Sequence, residues 1–370
     1  MLTLRSRQAE VLPSLKKPER EPFRIAVDAM GSDDAPSAEV EGAKIASAIL
    51  REMEVPCTIM LVGNNDQIER IIHPKRSYIR PSRLAQIQII PAEDAVTMDD
   101  EPAVVVRAKP RSSMVIGLEL VQQGKADAFI SAGNTGAILS AATLILGRIR
   151  GVSRPTIGAF FPTSEGKECL LLDVGANVEV KPQYLYEFAV MGSVYAELIQ
   201  KISRPRVGLL NIGEEETKGT EQVRAAHLLL KNSSLNFVGN VEGHDIFTGR
   251  ADVIVCDGFT GNVVLKFAES IAPLLKSVLR RRAQLGFWEK LRLKVTANTL
   301  RKVLADFDYQ KYGGVPLLGV NGVVIIGHGK SSSQAISNMI LRAWEMHHLS
   351  INKRIEERLN VEQNNTAAGE

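Results

Sequence analysis

Short apolar runs alternate along this chain with longer stretches in which apolar residues recur at helical spacing. The runs at 24–28, 58–63, 86–90, 128–132, 157–161, 169–174, 207–212, 236–239, 253–256 and 323–327 predict strands. Between them the spacing predicts helices over 37–53, near Gln67, over 103–108, 113–123, 184–199, 217–231 and 333–347, and from Ala137 and Asn262 onward. Apolar strands alternating with helices predict an α/β protein: a mainly parallel sheet covered on both faces. The runs at 157–161 and 169–174 are expected to be adjacent, joined by a turn at 163–167. Gly313, Gly314 and Pro316 are expected to mark a loop. In parallel sheets ligands bind at C-terminal strand ends, so one crevice is expected to collect the motifs found there.

One phrase occurs twice. Residues 126–136 read ADAFISAGNTG and residues 251–261 read ADVIVCDGFTG, both A-D-x5-G-x-T-G. In each a strand breaks into a glycine turn before a helix, through Gly133, Asn134, Thr135 and Gly136, then through Asp257, Gly258, Thr260, Gly261 and Asn262. Glycine permits close backbone approach and the first helical N–H groups lack internal partners, so such turns suit anions. The plainer reading is an ordinary capped βα turn.

Further polar groups follow other strands. Asp28 and Gly31 lie in DAMGSDDAP, and Asp173 and Asn177 in DVGAN. Asn211 and Asn240 end two more strands, and His328 and Lys330 lie in GHGKS. Lys181, Lys218 and Lys266 lie just beyond strand ends, where a solvated side chain is the common alternative. Nucleotide motifs fail: a P-loop ending at Gly329–Ser331 needs glycine where Val324 stands, and the dinucleotide fingerprint from Gly327 meets Ser332. A smaller anion stays compatible with these loops. No G-x-S-x-G elbow and no metal-ligand spacing of His or Cys occurs.

Composition narrows the class. The 370 residues are 45% hydrophobic and 24% charged, a globular balance, and the longest apolar runs are too short to span a bilayer. Three dispersed cysteines suggest a reducing, cytoplasmic setting. The net charge is +3, yet residues 271–305 hold nine Lys/Arg against one acid, Glu289. Residues 271–308 read as a basic amphipathic helical excursion with Arg280, Arg281, Arg282 and Trp288, suited to an anionic membrane surface, an acidic carrier protein or a packed partner. Residues 1–23 read as a mobile extension, 24–350 as the catalytic body and 351–370 as a polar tail, frayed after Leu359.

Seven stretches together resemble one family: IAVDAMGSDDAP, ADAFISAGNTGA, LLDVGANVEVKP, LLNIGEEETKGTE, NFVGNVEGHDIF, DVIVCDGFTGNVVLKF and GVNGVVIIGHGKS. The chain resembles the acyl-ACP:phosphate acyltransferases of bacterial phospholipid synthesis (PlsX-type) from Arg24 to about His348. The resemblance implies a three-layer α/β/α sandwich similar to phosphotransacetylases and isocitrate dehydrogenase-like enzymes. It implies a homodimer, and transfer of a fatty acyl group from acyl carrier protein to inorganic phosphate. Peripheral membrane contact and handover to a membrane glycerol-3-phosphate acyltransferase follow from the same resemblance, with no cofactor, metal or nucleic acid. The chemistry suits the motifs, since phosphate is largely ionised near neutral pH and a thiol is a good leaving group. Candidate catalytic groups are Asn134, Asn262, His328 and Lys330; the other strand-end residues named above are candidate phosphate or substrate contacts. The alternatives are a short-chain phosphotransacetylase using acyl-CoA and a non-catalytic membrane adaptor.

Overall fold

The structure, a computed structural model, describes residues 22–72, 85–283 and 313–368. Residues 1–21 of the expected extension, Trp288 and the excursion beyond Ala283 lie outside the described residues. In chain order the elements are β1 (Phe23–Asp28), α1 (Ser37–Glu52), β2 (Cys57–Gly63), α2 (Asn65–Ile72), β3 (Ala85–Pro91), the short α3 (Val105–Ala108), α4 (Ser113–Gln122), β4 (Ala128–Ser131), α5 (Thr135–Ile145), β5 (Thr156–Pro162) and β6 (Glu168–Leu172). Then come α6 (Pro182–Leu198), β7 (Arg206–Leu210), α7 (Glu221–Lys231), β8 (Asn236–Val241), the short α8 (Asp245–Thr248), β9 (Val253–Val255), α9 (Gly258–Ala283), β10 (Val315–Leu318), β11 (Val323–Ile326), α10 (Ser333–His348) and α11 (Ile351–Ala368).

Local chemistry sets several boundaries. Ser112, Asn134, Thr220 and Ser332 cap α4, α5, α7 and α10 by accepting from the amide three residues on. Gly219, at φ +87°, turns the chain just before Thr220, so α7 begins at Glu221 rather than at 217.

All eleven strands form one sheet in the order β3-β2-β1-β4-β11-β10-β5-β6-β9-β7-β8. Setting aside the edge strand β3, the order reads the same from both ends. In each half a parallel trio (β2-β1-β4; β8-β7-β9) is followed by an antiparallel hairpin (β11-β10; β6-β5), and β10 pairs antiparallel with β5 at the centre. The hairpins are exchanged. β5 and β6 follow β4 in sequence but join β9, while β10 and β11 follow β9 but join β4. Strand polarity therefore reverses between the halves, and their C-terminal strand ends belong to opposite edges of the sheet.

The repeated phrase marks this internal symmetry. Asp127, before β4, accepts the Arg24 amide at 2.7 Å and pairs with its guanidinium at 2.7 Å. Asp252, before β9, does the same to Arg206 at 2.8 and 2.9 Å. Each A-D thus fastens one strand to the start of its neighbour, β1 or β7.

Side chains alternate between two apolar layers. Ile25, Val27, Ile130, Leu170, Val207, Val255 and Ile325 point to the layer under α1, α6, α10 and α11. Ala26, Phe129, Ile157, Leu171, Ile254 and Val324 point to the layer under α4 and α5. This is the expected three-layer sandwich.

Three expectations change. The fold starts at Phe23, which is buried. Pro316 lies in a strand and not in a loop; β11 pairs with residues 315–317, but β5 pairs only with Leu317 and Leu318, which spares the missing N–H. The C-terminal stretch is not frayed after Leu359, because it continues as helix α11. There Glu362 is buried and accepts from the Tyr186 hydroxyl at 3.0 Å and from Ser234.

Candidate functional site

The strand-end residues form two hydrogen-bonded groups, one per half, and not the single set expected, because the exchanged hairpins reverse strand polarity. In the first half, the N-terminal ends of α1, α4, α5 and α10 meet the ends of β1, β4 and β11. Asp28 is buried at its centre and accepts from Ser113 Oγ at 2.6 Å, Ser131 Oγ at 2.7 Å and the Met30 amide at 3.1 Å. Burial pushes its pKa up against the pull of those donors. Gly31 lies close above: a Cβ there would stand 2.9 Å from Asp28 Oδ2, from the Gly133 nitrogen and from Ser131 Oγ. The two loops are therefore packed backbone to backbone.

Asn134 acts first as a cap, accepting the Ala137 amide at 3.1 Å, while its amide group faces the carbonyls of Thr97, Met98 and Asp100 at 3.3–3.4 Å. The Gly133 amide is spent on Ser131 Oγ at 3.1 Å. The amides of Thr135 and Gly136, at the start of α5, keep the open positions that every helix start leaves. His328 and Lys330 are exposed on the loop after β11, where the Lys330 amide donates to His328 Nδ1 at 3.0 Å. The same loop is tied to the β1 loop, Asp33 donating its amide to the Gly329 carbonyl at 2.7 Å.

The second copy of the phrase folds differently. Asp257 caps α9 through the Thr260 amide at 2.7 Å and holds its hydroxyl at 2.7 Å, so Gly258 is already helical and Asn262 lies a turn inside. The Gly258 amide donates to the Asn177 carbonyl at 2.7 Å, and the Gly261 amide to the Asp257 carbonyl. Both glycines exist for close packing. A Cβ at Gly261 would stand 1.9 Å from the Asp173 carbonyl oxygen, and one at Gly258 2.6 Å from that of Asn177. Asp173 is buried and accepts the Ile157, Ala176 and Asn177 amides at 3.0, 3.2 and 2.6 Å; burial raises its pKa despite these donors. Its own loop thus fills this turn.

Asn211 and Asn240 brace the acidic loop after β7. Asn211 donates to the Lys218 carbonyl at 3.1 Å; Asn240 donates to the Glu215 carbonyl at 2.8 Å and contacts buried His227 at 2.9 Å. Lys181 and Lys218 are exposed. Lys266 pairs with Glu269 along α9 at 3.0 Å, two turns past the glycines. Beside this group opens a cleft of about 700 Å³, walled by Val178, Val180, Leu185, Leu210, Ile212 and Val223 and floored by Asn211, Thr220, Asp257 and Thr260. Arg281 and Arg282 are exposed at the far end of α9 from Gly258 and Gly261. Among the described residues, no three His, Cys, Asp or Glu side chains gather as a metal site. No described helix is long and apolar enough to cross a membrane.

Four groups escaped the sequence reading. Ser113 and Ser131 hold Asp28. Glu39 on α1 is fully buried, accepts the Ser32 amide at 3.2 Å through Oε1, and leaves Oε2 without a partner; Ser32 Oγ is likewise unpartnered. Burial, aided by repulsion from Asp28, raises the Glu39 pKa to about 7. Ser131 stands where the second copy has Cys256, the one signal that hinted at its role.

This α/β/α sandwich has the fold of the phosphotransacetylases. The chain superposes on a phosphotransacetylase from Streptococcus pyogenes with a TM-score of 0.56 at 17% identity, covering 92% of this chain and 94% of that one. The chain belongs to the family of fatty acid synthesis proteins, which it matches over residues 23–354. It is 45% identical to the phosphate acyltransferase of Nostoc punctiforme over 92% of this chain and 97% of that one. It is 48% identical to that of Heliobacterium modesticaldum over 86% and 92%. The family expected from the seven motifs is borne out, as is the likeness to phosphotransacetylase folds.

Proposed function

We propose that the protein transfers a fatty acyl group from acyl-acyl carrier protein to inorganic phosphate, giving acyl phosphate and free carrier protein. The observation that carries this reading is the match, nearly end to end, to relatives named phosphate acyltransferase. On this reading phosphate binds in the first half, and the helix N-termini that converge beside exposed His328 and Lys330 support it. There the open Thr135 and Gly136 amides face the anion, Lys330 supplies charge, and His328 protonates the departing thiolate. A phosphate oxygen attacks the thioester carbonyl, the C–S bond breaks, and the oxyanion between these steps is held by the same donors. In the second half, the protein's own Asp173–Asn177 loop occupies the glycine turn, which argues against phosphate there.

Phe259, Val263, Phe267 and Leu274 are exposed along one side of α9. That apolar face supports a homodimer, and the basic end at Arg281 and Arg282 supports peripheral contact with an anionic membrane on the cytoplasmic side and handover there.

The test supplies palmitoyl-carrier protein and phosphate and traps acyl phosphate with hydroxylamine. Lys330→Ala is expected to raise the phosphate KM about tenfold, the cost of one charge-assisted contact. A larger effect from Lys218→Ala would move phosphate to the second half, and product from acetyl-CoA alone would overturn the long-chain reading.

A further inference from the structure

We propose that the loop 148–155, together with the C-terminal end of α5, is the surface on which an acidic carrier protein docks to present its acyl thioester. The proposal rests on the acyl-transfer reading above. From Ala128 to Ser164 the chain carries Arg148, Arg150 and Arg154 and no acidic residue. All three arginines are exposed.

The loop that bears them is held from several directions. The Ile149 amide donates to the Gly319 carbonyl at 3.0 Å, and Asn321 Nδ2 donates to the Arg148 carbonyl at 2.8 Å. The Arg148 guanidinium turns back onto the Ser153 carbonyl. Glu187, the buried carboxylate beside the loop, accepts both the Ser153 amide at 2.7 Å and its hydroxyl at 2.8 Å. At the far end the Pro155 carbonyl accepts from Asn177 at 2.8 Å. Glu187 is thus engaged within the loop, and the Arg150 and Arg154 side chains have no ion pair among the described residues. Two like charges held on a fixed loop repel, and a partner of opposite charge removes that cost.

Two features make the partner a carrier protein and not a diffuse polyanion. Leu144, four residues before Arg148 near the end of α5, is 65% exposed and offers an apolar anchor next to the loop in sequence. The patch also lies at one end of α5 and the proposed phosphate site at the other, about 16 Å apart for a helix of this length. A carrier delivers its acyl group on a tethered thiol arm, so its dock belongs an arm's reach from the reacting atoms. Between the two ends α5 carries no charged residue, and its half-exposed positions Leu139, Ser140 and Thr143 give the arm an uncharged track.

The experiment measures binding of fluorescently labelled apo-carrier protein by anisotropy to the full chain, to Arg150→Glu, Arg154→Glu and the double variant. Arg107→Glu, an exposed reversal on α3, serves as the charge control. Each loop reversal is expected to weaken binding about threefold and the pair about tenfold or more, with Arg107→Glu within about twofold, and the differences should shrink in high salt. A double variant that binds as the wild type does overturns the proposal. So does one that keeps carrier affinity but loses binding to phosphatidylglycerol vesicles, which would make the loop a membrane contact. Turnover of palmitoyl-CoA with phosphate separates docking from chemistry: it should be unchanged in the double variant, and an equal loss with both donors overturns docking. If the wild type turns over neither donor, the acyl-transfer reading fails, while the anisotropy still decides the dock.

Discussion

Replacing Glu39 with glutamine should make stability less sensitive to pH, and the direction follows from where the carboxyl lies. The folded protein holds the Glu39 proton up to about pH 7, whereas the unfolded chain releases it near 4.5. Between those values the folded state binds more protons, so this group's contribution to stability declines as pH rises and levels off above 7. A shift of that size corresponds to at most roughly 3 kcal/mol. At about 2.1 cal/mol/K of unfolding entropy per residue, that is roughly 4 °C in Tm for a chain of 370 residues. Glutamine keeps the shape and an oxygen for the Ser32 amide but cannot ionise. The assay is calorimetric melting of both proteins from pH 5 to pH 8. Because part of the shift is already expressed at pH 5, the difference, variant minus wild type, is expected to grow in favour of Glu39→Gln by about 3 °C across that range. Differences flat within about 1 °C would refute the reasoning, because they would mean that Glu39 is already solvated or paired when ionised.

Two further outcomes test the packing. Gly261→Ala must push a Cβ into the Asp173 carbonyl, 1.9 Å away, and should destabilise by about 3 kcal/mol or more, whereas Gly124→Ala, with open space but φ +66°, should cost about 1 kcal/mol in the same denaturant titration. Burial raises the Asp252 pKa but the Arg206 hydrogen bonds outweigh it, so the folded value is depressed. Its stabilisation is therefore present above the unfolded pKa and lost as pH falls through the folded one. Asp252→Asn should cost about 2 kcal/mol at pH 7 and less at pH 3, read from urea midpoints.

The sequence carried the strands well because a sheet buried on both faces needs continuous apolar runs, as at Ile25–Val27 and Val323–Ile326. It carried the seven motifs because strand ends concentrate polar residues. Polarity was hidden: residues 169–172 look equally apolar whichever way they run, and only pairing with Gly158 and Val253 fixes their direction. The single expected crevice failed on that point. Asp127 and Asp252 repeated in plain view, but their partners Arg24 and Arg206 lie 103 and 46 residues away. Glu39 gave no signal, since nothing local shows that the loop after β1 closes over it. Pro316 read as a loop because its tolerance depends on where a neighbouring strand stops.

The exchanged hairpins also bear on how the chain is made. β4 leaves the ribosome with one flank bare, and the strand that covers it, β11, is synthesised roughly two hundred residues later, on the order of 10–40 s at ordinary elongation rates. During that interval the first half presents an unpaired strand edge, and β5 and β6 are waiting for a neighbour, β9, that does not yet exist. Neither half is a foldable module in its own right. Each is completed by the other's last hairpin, so both strand edges find their neighbours only once the second half has been made.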